Sequence, residues 1–164
     1  MTAPAPRAAL RLVLLLVYAA AMGWLEAVVV IYIRGLAGIA HRGGLPPAEE
    51  VMRRLHSIPW LLPTEQTREA ATLAMLVAVG ALAAHRWPAR LGAFLISFGV
   101  WDIVYYVGLR VLLGWPRSLG AMDILFLIPP HPWWHQPVWL PIVISGGMIA
   151  VGTRLFLGGS TGPR

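Results

Sequence analysis

Two acidic side chains interrupt long apolar runs in this sequence. Glu26 sits in "LVLLLVYAAAMGWLEAVVVIYI", residues 12–33, and Asp102 in "FGVWDIVYYVGLR", residues 98–110. A charge in hydrocarbon costs roughly 2.5–3.5 kcal/mol on insertion scales, so each acid must be offset or used. Tyr105 and Tyr106 follow Asp102 at i+3 and i+4, on one helical face, where a phenol can donate to a carboxylate. Each acid also has a glycine at i−3, Gly23 or Gly99, and a tryptophan close by, Trp24 or Trp101. Asp123, in the apolar stretch "LGAMDILFLI", is a third acid of the same kind. Glu69 is expected at headgroup level.

The chemistry open to Glu26, Asp102, Tyr105, Tyr106 and Asp123 is that of a mid-membrane polar site. Such a site binds a proton, a cation or a small polar ligand, in a transport-related or accessory role. The competing reading is structural: protonated acids that hydrogen-bond between helices and fix their packing in a membrane complex, since burial favours the neutral carboxyl. A third reading is a membrane enzyme or metalloprotein. Glu26, Asp102 and Asp123 could supply oxygens to a hard cation, and "HPWWH" offers His131 and His135 to a transition metal. Pro132 between those histidines argues against a helical clip, so they read first as plain interface residues and no metal is expected. No histidine falls mid-helix as a haem ligand, and no cofactor is expected. Nor is there a GxSxG, an HExxH, a Walker lysine or a dinucleotide fingerprint, so the reading leans away from an enzyme.

The elements that must position these residues are long apolar helices. Residues 12–33, at 1.5 Å per residue, are long enough to cross a core of about 30 Å. Arg7, Arg11 and Ala19-Ala20-Ala21 mimic a secretory leader, but the apolar run continues well past them, which favours a retained helix. Further spans are expected at about 64–86, 91–113 and 139–157. Pro47, with Glu49 and Glu50 behind it, starts an amphipathic helix over about 47–58. Val51, Met52, Leu55 and Ile58 share one face of it, the pattern of a segment lying in the membrane interface. "LGAMDILFLI" is too short to span and Pro129-Pro130 ends any helix there, so 119–128 is expected as a re-entrant or surface-lying half-helix. The expected fold is all-α: one membrane domain over 1–164, a four-helix bundle with an interfacial helix and a re-entrant segment before the last span.

Composition agrees. The chain is 58% hydrophobic and only 12% charged, about half the charged share of a soluble domain, and its mean hydropathy is +0.69. Every basic residue is arginine, and the arginines bracket apolar runs instead of forming a stripe, so the net charge of +6 points to membrane flanks and not to nucleic acid. With no cysteine, disulfides, thiolate chemistry and Cys-based metal sites are excluded. Trp60, Trp87, Trp115, Trp133, Trp134 and Trp139 fall where an interfacial belt would, leaving Trp24 and Trp101 deep beside the acids. Ala70, Ala74 and Ala78, Gly80 and Ala84, and Ser145, Gly146, Gly147 and Gly152 are small-residue faces suited to close helix contact, with neighbouring helices, a membrane partner or a second copy. Arg86 and Arg90 in a very short link lean the orientation toward both termini in the cytoplasm.

"WDIVYY", "GWPRSL" and "DILFLIPPHPWW", together with "GWLEA", resemble a pattern of small, uncharacterised bacterial multi-pass membrane proteins. The resemblance covers mainly residues 98–141 and part of the first helix. It implies architecture only, and no activity; the expected location is a bacterial cytoplasmic membrane. "PPHPWWHQPV" is longer than the equivalent segment, which weakens any role for His131 and His135.

Overall fold

The computed structural model describes residues 6–39 and 45–160 of the chain. Arg42 and Arg164 lie outside the described residues, as does the side chain of Arg7. The order is α1 (Pro6–Leu36), α2 (Ala48–Ser57), α3 (Leu61–Ala83), α4 (Trp87–Leu113), β1 (Met122–Ile124), a 3-10 turn (Pro132–Trp134), β2 (His135–Pro137) and α5 (Trp139–Ser160). Three helical segments are long and apolar enough to cross a membrane: Ala8–Leu36, Trp87–Leu113 and Trp139–Gly158. The protein is therefore all-helical apart from one small sheet, and membrane-associated. α3 is comparable in length but is not among the three. Its first half carries Glu65, Arg68 and Glu69.

α4 is the axis of the fold. It packs most extensively against α5 and α1, and then against α3. Glycines make this possible. A Cβ on Gly99 would lie 2.6 Å from the Ser145 carbonyl oxygen of α5, and one on Gly23 of α1 would lie 2.4 Å from the Trp101 carbonyl oxygen. The i−3 glycines of the two acids are thus the points where a second backbone crosses. Gly92 and Gly152 meet in the same way, further along α4 and α5. Without a hydrophobic drive between helices in lipid, such close approach is what holds them. The expected small-residue faces divide accordingly. Gly80, Ser145 and Gly152 are buried, whereas Ala70, Ala74, Ala78, Gly146 and Gly147 are exposed.

The two long connections lie at one end of the helices. The first carries α2, whose Val51 and Leu55 pack with Ala37, Ile39 and Leu61. Its apolar face is turned onto protein, not left free for lipid as the interfacial reading expected. The amphipathic pattern is the same for either partner. The second connection corrects a stronger expectation, because 119–128 is not a half-helix. β1 and β2 pair antiparallel, with Asp123 opposite Gln136 and Ile124 opposite His135. The Leu125 amide donates to the Trp134 carbonyl at 2.9 Å, and the Val138 amide to that of Ala121 at 2.9 Å. A ten-residue helix would satisfy few of its own backbone groups. A hairpin that borrows partners from 134–138 satisfies them better. Gly114, at φ 74, ends α4 in the left-handed conformation that turns the chain into this segment.

Candidate functional site

Between the helices, under α2 and the hairpin, lies a cavity of ≈ 370 Å³. All five residues singled out in the sequence line it: Glu26 from α1, Asp102, Tyr105 and Tyr106 from α4, and Asp123 from β1. Glu65, Arg68 and Glu69 of α3 and Arg34 of α1 line it too. Five carboxyl groups thus face one space together with two guanidiniums.

Each acid is held differently. Glu26 is bridged by Arg68, which donates from Nη1 to Glu26 Oε1 and in a forked pair to Glu65. Thr72 Oγ1 makes a long contact of 3.4 Å to the other oxygen of Glu26. A guanidinium can serve two carboxylates in this way because its donors form a rigid planar fork. Asp123 lies 3.7 Å from Arg34 and accepts from the Tyr106 hydroxyl at 3.1 Å. Arg34 in turn stacks 4.2 Å from the ring centre of Trp115. Asp123 sits outside the long helices, and burial pushes its carboxyl above the usual carboxylate range, against the pull of Arg34 and of the Tyr106 hydroxyl. Glu69 accepts from the Leu127 amide at 2.9 Å, and Gln66 Nε2 donates to the Leu127 carbonyl at 3.0 Å, so α3 grips the end of the hairpin.

Asp102 stands apart. It accepts from Ser145 Oγ of α5 at 2.7 Å, and among the described residues it makes no ion pair. The expected tyrosine donors are not its partners. Tyr106 reaches past it to Asp123, because a phenol carries its hydroxyl well beyond a short aspartate one turn away. Tyr105 packs edge-on to Tyr106, with ring centres 4.9 Å apart. Trp101 Nε1 is buried without a partner among the described residues, and Glu69 draws on the Ile128 amide as well as that of Leu127. Trp101 and Glu69 both line the cavity.

Several sequence expectations resolve differently here. Trp101 joins the cavity, but Trp24 is 40% exposed and packs over Gly108 on the outside of α1. Trp115 is buried beneath Arg34 instead of lying in an interfacial belt. Glu69 is buried inside the protein, against the end of the hairpin. His131 is exposed and accepts from the Trp133 amide at 3.1 Å, while His135 lies in β2 opposite Ile124. No group of three metal-ligating side chains occurs among the described residues.

The residues that sequence reading passed over are Glu65, Arg68, Arg34 and Ser145. A signal for the first two was present. Glu65, Glu69, Thr72 and Leu76 recur at helical spacing and form the buried face of α3, so its polar stripe points inward. Arg34 read as a flanking charge and Ser145 as a small packing residue, and neither type alone distinguishes those roles. No family model, no curated protein and no solved structure matches the chain.

Proposed function

We propose that this is a multi-pass membrane protein in which α1, α3, α4 and α5 all cross the bilayer, and that the cavity is a working polar site. It binds a proton, a cation or a small polar ligand through Glu26, Asp102, Tyr105, Tyr106 and Asp123, with Glu65, Arg68 and Glu69 beside them. The observation that carries this reading is the imbalance inside the cavity, where five carboxyl groups meet two guanidiniums. An excess of buried carboxyls must hold protons or attract a cation. A spanning α3 is supported by its 23 residues, about 34 Å of helix, and by charges turned toward protein while Leu82 and Val77 face out. The hairpin then serves as a cap in place of the expected re-entrant helix. Arg86 and Arg90 beside the short turn favour a cytoplasmic placement of that end and of both termini. The role is transport-related or accessory, in a bacterial cytoplasmic membrane.

A second reading has its own observation. Arg68 ties α3 to Glu26 of α1, and Ser145 ties α5 to Asp102 of α4, as they would in a subunit whose acids only clamp helices. Infrared difference titration in a bilayer separates the two, with Glu26→Gln and Asp102→Asn assigning the bands. Carboxyl bands that titrate between about pH 5 and 8 support a water-accessible working site. Bands that stay fixed across the whole range leave the clamp.

A further inference from the structure

Resting on the working-site reading, we propose that the cavity takes an amphiphilic amine: a protonated amine head on a hydrocarbon body, admitted from the bilayer between α3 and α5. Three independent observations converge on that class. The first is the distribution of chemistry along α4. The wall runs from Tyr106 to Phe94, about 18 Å of helix, and the acids cluster toward the capped end while Phe94, Phe98 and Met148 line the remainder. A space that is charged at one end and apolar along the rest fits a molecule built the same way. Its volume of ≈ 370 Å³ falls within the roughly 300–1,000 Å³ of small-molecule pockets.

The second observation concerns the head. Phosphate and carboxylate heads are repelled by a wall in which acids outnumber arginines. An ammonium is attracted, with Asp102 as its counter-charge because Arg34 and Arg68 are already engaged elsewhere. Glu69 and Trp101, each only 7% exposed, line the same space. Glu69 adds to the wall a second carboxyl that, like that of Asp102, no arginine bridges among the described residues. The aromatic ring of Trp101 also offers its face to the cation.

The third observation is the way in. α3 and α5 both pack on α4 but pack little on one another, while α2 and the hairpin close the end. Ile144 of α5 lines the cavity and is nonetheless 52% exposed. The wall therefore opens sideways, where a spanning helix meets hydrocarbon, and an apolar body can pass without leaving the bilayer.

The test uses the full chain in phosphatidylcholine nanodiscs, with radiolabelled dodecylamine in equilibrium dialysis against empty nanodiscs. The expected result is saturable binding of one dodecylamine per chain, with little competition from dodecanol or dodecanoate. Asp102→Asn weakens it by about tenfold, the scale of one charge-assisted hydrogen bond. Ile144→Trp, at an exposed position that narrows the opening, weakens or slows binding with the melting temperature unchanged. Uptake no greater than in empty nanodiscs, or dodecanol competing as well as the amine, overturns the proposal. If dodecylamine fails while the carboxyl bands still titrate between about pH 5 and 8, only the ligand class falls. If both fail, the working site falls with it.

Discussion

Arg68 is the side chain on which most of the buried charge depends. It answers Glu26 on α1 and Glu65 on its own helix, so Arg68→Leu leaves two carboxyl groups facing the cavity with no cation. Breaking a buried pair from one side typically costs on the order of 3–5 kcal/mol. A loss of that size in unfolding free energy is expected, largely recovered when Glu26→Gln and Glu65→Gln are added. Arg68→Lys is expected to recover only part, since an ammonium lacks the planar fork. A loss under about 0.5 kcal/mol for Arg68→Leu would show that the bridge does not hold α1 to α3. Asp123 makes a prediction in pH. Its folded carboxyl is raised above the ordinary value, so the folded state binds the proton more readily than the unfolded chain. That contribution is present at low pH and is lost as pH rises through the raised value. Asp123→Asn should therefore flatten the decline in stability toward neutral pH, and an unchanged slope would assign the decline to other groups. At this scale the acids were legible because an isolated charge in an apolar run stands out. Their partners were not. Ser145, Arg34 and Arg68 are ordinary residues until the fold brings them within reach of a carboxyl, and Tyr106 sits beside Asp102 in sequence yet serves Asp123.

At the scale of the helices, contact distance decides what a residue does. Gly99 and Gly146 are both glycines in long apolar helices, and sequence reading gave only Gly146 to a close-packing face. A Cβ on Gly99 would meet the Ser145 carbonyl oxygen at 2.6 Å and the Ile149 side chain at 2.8 Å, whereas one on Gly146 would meet nothing within 4 Å. Gly99→Ala must push α5 away from α4, and forced overpacking costs about 1–3 kcal/mol. Because Ser145 moves with that backbone, the hydrogen bond to Asp102 should lengthen as well, visible as a shift of the Asp102 carboxyl band. Gly146→Ala should be neutral or stabilise by up to about 1 kcal/mol, the helix-propensity difference. Equal effects from the two, measured by reversible unfolding in mixed micelles, would mean that α4 and α5 do not cross here. The long helices were readable because apolar length is a strong local signal: residues 91–113 fall within α4, and 139–157 within α5. The segment at 119–128 was not, because a ten-residue apolar stretch has no period long enough to separate helix from strand. What decides it is the pairing of Met122–Ile124 with His135–Pro137, a contact that sequence does not announce. The face of α2 is the same problem, since Val51 and Leu55 would look no different against lipid.

For the whole molecule, the issue is how many times the chain crosses. Three helices qualify on length and apolarity alone, and α3 falls short because of the charges that build the cavity. Those charges do not bar the proposed crossing by α3. Glu65 and Glu69 are buried in the fold, and Arg68 is spent on Glu26 and Glu65, so from Ala70 onward the surface that α3 shows outward is apolar in spite of its composition. A hydropathy average counts residues without knowing which way they face, and it underrates a helix whose polar stripe is turned inward. The chain offers a direct test because it contains no cysteine. Single cysteines at Ser57, in α2 just ahead of α3, and at His85, in the turn just after it, are both exposed positions. With a membrane-impermeant thiol reagent on oriented vesicles, the two should be labelled from opposite sides. Ser118, beyond α4, should then share a side with Ser57. Labelling of Ser57 and His85 from the same side would reduce the crossings to three and leave α3 lying along the membrane. The acids of α3 would then meet those of α4 at the water boundary, where an unpaired carboxyl costs less.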